Sequence, residues 1–80
     1  MRYILFGEES CPYCALAISI LDEKGLSYNV IDFEPGQKDI LDDIKRAYDW
    51  KTVPMIFLRE GNDIKFIGGY SDLIIFFDEK

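Results

Sequence analysis

Eighty residues, 49% of them hydrophobic and 15% aromatic, suffice for one domain spanning 1–80 and leave no room for a second. A net charge of −6 speaks against a nucleic-acid-binding face, which needs basic side chains, and fits a solvated acidic surface. Two cysteines and no histidine fall short of the roughly four ligands of a structural zinc site, so no metal is expected.

Residues 2–6 read as a strand, apolar enough to lie inside a sheet. The run 3–6 is too short for an export signal and is followed by Glu8 and Glu9, and the later run 73–77 is far short of a membrane span. The expectation is a cytoplasmic protein without membrane contact. In that compartment a C-x-x-C pair is more often catalytic than structural.

That pair follows directly, as Cys11-Pro12-Tyr13-Cys14. Residues 12–24 read as a helix ending at Gly25, with Cys14, Ala17, Ile18 and Leu21 on its inner face. Both sulfurs then sit at a strand-to-helix corner, the first at the helix N-terminus. Unpaired N–H groups and the helix dipole favour negative charge there, and the thiolate is the nucleophilic form. Pro12 suits the first helical position. A purely structural disulfide closing so short a loop would stabilise weakly. The spacing points to a dithiol redox site.

Residues 27–32 read as a second strand and Pro35-Gly36 as a turn. A second helix over 38–48 buries Ile40 or Leu41, then Ile44, then Ala47 or Tyr48. Residues 55–59 and 63–67 form a hairpin around Glu60-Gly61-Asn62. Gly68-Gly69 breaks the pattern, and Ser71 caps a last helix from 72 to about 78. The order β-α-β-α-β-β-α, opening on a right-handed crossover, predicts an α/β fold of the thioredoxin-like type. It is a four-stranded mixed sheet with helices on both faces.

Three separated motifs, Cys11-Pro12-Tyr13-Cys14, Thr52-Val53-Pro54 and Gly68-Gly69-Tyr70-Ser71-Asp72-Leu73, make the chain resemble a glutaredoxin over essentially its full length. The resemblance implies a glutathione-dependent thiol–disulfide oxidoreductase with Cys11 as nucleophile and Cys14 as resolving thiol. It implies a cis peptide before Pro54, which would turn the Val53 backbone towards Cys11 so that a substrate strand can pair with it. It places the γ-glutamyl end of glutathione at Gly69, Ser71 and Asp72, where helix N–H groups hold a carboxylate and Asp72 meets the ammonium. Tyr13, Lys38, Thr52, Tyr70 and, less directly, Trp50 complete the implied groove. Implied partners are glutathione and disulfide-bonded or glutathionylated proteins, ribonucleotide reductase among them, with the chain acting as a monomer.

One position departs from the pattern. Where the family carries Lys or Arg, three residues before the first cysteine, this chain has Glu8, followed by Glu9. An exposed like charge about 8 Å away costs roughly 0.5 kcal/mol, too little to override the helix terminus. It does leave one carboxylate of glutathione without its implied partner. Gln37, Lys38 or Lys51 could supply one, or the acidic rim could select a basic protein substrate. Two other readings keep the fold: a redoxin fed by thioredoxin reductase, and a dimer holding an iron–sulfur cluster with glutathione. The first would carry W-S-G-F where this chain has Gly68-Gly69-Tyr70-Ser71, and the second usually has Gly or Ser in place of Pro12.

Overall fold

The computed structural model describes residues 1–8 and 11–78. In chain order the elements are β1 (Arg2–Glu8), α1 (Pro12–Glu23), β2 (Tyr28–Phe33), α2 (Lys38–Ala47), β3 (Met55–Glu60), β4 (Asp63–Gly68) and α3 (Tyr70–Asp78). A short 3₁₀ turn, Pro35–Gln37, leads into α2 at the expected Pro35-Gly36. The sheet runs β2-β1-β3-β4, with β1 and β2 parallel and the other pairs antiparallel. This is the expected thioredoxin-like topology, and β1 is interior as its apolar content requires. It extends two residues past the expected strand because Gly7 and Glu8 keep pairing with Asp32 and Phe33.

The two faces of the sheet bury different chemistry. Tyr3, Leu5, Ile56 and Leu58 pack with Ala17 and Leu21 of α1 and Leu73 of α3 in one aliphatic core. Phe6, Phe33, Tyr48, Trp50, Phe57 and Phe66 form a chain of tilted and edge-on ring contacts at 5.1–5.8 Å on the side of α2. In α2 the choice left open by periodicity falls to Leu41, which is fully buried, while Ile40 is 54% exposed.

Both long connections after helices close in the same way. After α1, Gly25 takes φ +66°, and the N–H groups of Gly25 and Leu26 bond to the carbonyls of Asp22 and Leu21. After α2, Asp49 takes φ 52°, and Asp49 and Trp50 bond to Arg46 and Lys45. Each is a Schellman closure. The second uses one of the few residues other than glycine that visit the left-handed region. It delivers Trp50 to the site described next.

Candidate active site

Cys11 is the N-cap of α1, and its Sγ accepts a hydrogen bond from the Cys14 N–H at 3.4 Å. Pro12 holds the first helical position, as expected. The Cys11 sulfur is half-buried and the Cys14 side chain is buried, 6% exposed. Burial, above all, pushes the Cys14 thiol up from 9.0 to about 12. Its hydrogen bond to the Cys11 sulfur, and the charges of Cys11 and Asp32, push the same way, while the Glu8 backbone opposes them. One sulfur is therefore accessible at a helix terminus and the other is held protonated inside.

The Val53–Pro54 peptide is cis, as the resemblance implies, and Pro54 is buried. The Val53 carbonyl lies 3.8 Å from Cys11 Sγ, in reach of its thiol proton. A groove of about 200 Å³ opens beside it, lined by Tyr13, Trp50, Thr52, Val53, Gly69, Tyr70, Ser71 and Asp72. The Tyr13 ring, 57% exposed, leans on Tyr70 at 5.9 Å between centroids. Gly69 forms the floor: a Cβ there would stand 3.6 Å from the Pro54 carbonyl oxygen and from the Trp50 ring. So the structure brings together the residues singled out on all three motifs. Lys38 opens α2 and is exposed.

At the α3 end the structure corrects one expectation. Ser71 does not cap the helix; α3 begins at Tyr70, and the Gly69 carbonyl accepts its first bond, from the Leu73 N–H at 3.0 Å. The reason is Asp72, whose carboxylate reaches back to accept from the Gly69 N–H at 2.9 Å. That is half of a capping box, and it leaves Ser71 in the first turn facing the groove. Gly68, at φ +125°, passes directly under this carboxylate; a Cβ would meet Asp72 Oδ2 at 2.5 Å.

The reversed charge at Glu8 has a partner that sequence reasoning missed. Lys45 of α2, with only 16% of its side chain exposed, places Nζ 3.8 Å from Glu8 Oε1. Gln37 instead caps its own turn, its Oε1 accepting from the Glu34 N–H at 3.1 Å. Lys45, Arg46 and Lys51 line a second groove of about 370 Å³ with Asp42 and Asp49, and Trp50 borders both grooves. The Trp50 Nε1 is buried and has no hydrogen-bond partner among the described residues. Glu9, the other half of the acidic pair, lies outside the described residues.

The glutaredoxin family profile matches residues 3–62. The chain belongs to the glutaredoxin family. It is 39% identical to glutaredoxin-1 of Gallus gallus over 75 residues, covering 90% of this chain and 69% of that one. It is 35% identical to glutaredoxin 3 of Escherichia coli K12 over 69 residues, covering 86% and 77%. A glutaredoxin from Brucella melitensis superposes with a TM-score of 0.75 at 30% identity, over 99% of this chain and 80% of its own. A wheat glutaredoxin shares the fold at a TM-score of 0.81 and 24% identity, over 95% and 71%. Thiol–disulfide oxidoreductase is the activity class that goes with this family. No helix among the described residues is long and apolar enough to cross a membrane.

Proposed function

We propose that this glutaredoxin is a dithiol enzyme that reduces protein disulfides and glutathione mixed disulfides, with glutathione as its reductant. The observation that carries the reading is the groove whose lining joins residues of all three family motifs, with the Val53 carbonyl of that lining 3.8 Å from Cys11 Sγ. Cys11 attacks a substrate disulfide, one sulfur of which becomes bonded to Cys11 while the other leaves as a thiolate. Cys14 then displaces the bound half from a protein substrate, or a glutathione thiolate does so from glutathionylated Cys11.

In the groove, the N–H groups of the first turn of α3 have no partner within the helix and suit the γ-glutamyl carboxylate. Asp72 has a carboxylate oxygen left for the ammonium, since only Oδ2 serves Gly69. Thr52 and the Val53 backbone line the path of the cysteinyl residue, and Tyr13 and Tyr70 form a wall. For the glycyl carboxylate, Lys38 and Lys51 are the cations at hand, since Lys45 already faces Glu8. Disulfide-bonded and glutathionylated proteins are the substrate class, and a monomer working in the cytoplasm suits a reducing dithiol.

The test is turnover of a small glutathione mixed disulfide coupled to glutathione reductase. Cys11→Ser should abolish it and Cys14→Ser should retain it. An inactive wild type that reduces disulfides once thioredoxin reductase is supplied would replace glutathione as the reductant in this reading.

A further inference from the structure

A dithiol mechanism of this kind needs the buried Cys14 to lose its proton, and the Asp72 carboxylate in the groove is already engaged by the Gly69 N–H. The inner face of β1 carries Tyr3, Leu5 and then Gly7, all buried. A Cβ on Gly7 would stand 2.7 Å from Cys14 Sγ and 3.4 Å from Asp32 Oδ1. One point on a glycine is thus within close range of a thiol and a carboxylate, and the side chain that would separate them is missing. Register explains the arrangement. Gly7 and Asp32 are partners in the parallel β1–β2 pair, so their side-chain directions share the face on which α1 packs. Asp32 is exposed, so its other flank can exchange a proton with water.

We propose that Asp32 is the proton acceptor for Cys14 in the resolving step, directly or through one water lodged over Gly7. This rests on the dithiol reading above. The Asp32 carboxylate takes the proton from Cys14 Sγ as that sulfur attacks the Cys11 sulfur of the mixed disulfide. The Cys11–Cys14 bond forms and the Cys11–substrate S–S bond breaks, its electron pair leaving on the substrate sulfur. The substrate thiolate takes a proton from solvent, and Asp32 returns its own to solvent. The substrate is reduced and the cysteine pair oxidised, with nothing left over.

The groups that bear on Cys14 are few. Cys11 acts from its own helix, Asp32 from β2, and Glu8 of β1 through its backbone. The Glu8 carboxylate is turned to the other side of the sheet, towards Lys45 of α2. Asp32 is the carboxylate that approaches the same Gly7 position as the Cys14 sulfur. In the mixed disulfide the Cys11 sulfur is bonded to substrate and carries no charge, but burial still holds the Cys14 proton, so an adjacent base has an effect to exert.

The experiment mixes reduced protein with 5,5′-dithiobis(2-nitrobenzoate) in a stopped-flow instrument and follows the coloured thiolate. A first, reagent-dependent phase reports attack by Cys11; a second, reagent-independent phase reports displacement by Cys14. Between pH 6 and 9 the second phase of the wild type should be nearly flat. In Asp32→Asn it should be slower at pH 7 by on the order of 10²-fold and rise about tenfold per pH unit. Asp32→Glu should restore much of the flat profile. An Asn variant as fast as wild type, or slower by one constant factor at every pH, would overturn the proposal. Failure of the dithiol reading looks different: the first phase would survive Cys11→Ser, and the inference about Asp32 would fall with it.

Discussion

Glu8 and Lys45 show how a charge reversed at one residue can be answered from a different element. The pair is partly open to water, so its worth is that of a surface ion pair, about 0.2–1 kcal/mol. A double-mutant cycle with Glu8→Gln and Lys45→Met, read by urea denaturation at low salt, should give a coupling of about that size. The coupling should shrink as salt is added. If none is found at low salt, Lys45 does not answer Glu8 energetically. Cys11, Cys14 and Pro54 were legible from the sequence because adjacency in a motif sets their local geometry. Lys45 and Asp32 were not, since each reaches its partner across the sheet or between strands. Gly7 did leave a trace: a glycine inside a strand often marks a close approach of something else.

Helix α3 depends on how its entry is built. Asp72 folds over Gly68 to hold the Gly69 N–H, and Gly68 adopts a backbone conformation that other residues rarely take. Gly68→Ala should destabilise the protein by about 1–3 kcal/mol through backbone strain and the clash with Asp72. Displacing Asp72 should also raise KM for a glutathione mixed disulfide, measured in the coupled assay. A variant of wild-type stability and KM would show that Asp72 does not order this corner. The order and type of every element were readable from periodicity and turn residues, with ends displaced by a residue or two. Ser71 was misjudged because a serine before a helical run is a strong cap signal. Nothing in the sequence says that Asp72 will reach back and move the cap to Gly69.

For the whole molecule, packing α1 on the sheet gives the two cysteines different environments, one half-buried at the helix N-cap and one buried. Burial against the aliphatic side raises Cys14, so the folded chain holds that proton more tightly than the unfolded chain does. The resulting stabilisation is complete below about pH 9 and is lost as pH rises towards 12, at up to ~1.4 kcal/mol per pH unit. Tyr3, raised by burial, and Tyr28, raised by its hydrogen bond to Asp22, add to the loss only above their ordinary 10.0. Denaturation of wild type and Cys14→Ser between pH 8 and 10 separates the terms. The wild type should lose stability over this window and the variant should not. Equal slopes would assign the loss to another group.

The sequence by itself determined the family, the strand–helix corner that presents Cys11, the turn chemistry and the order of the elements. These follow from neighbours along the chain, whose spacing sets periodicity, capping and motif geometry. Only the tertiary structure decided that Lys45 faces Glu8, that Trp50 stands between two grooves, and that Asp32 and Cys14 share the space above Gly7. Those contacts depend on strand register and helix placement, which arise from packing both faces of the sheet at once.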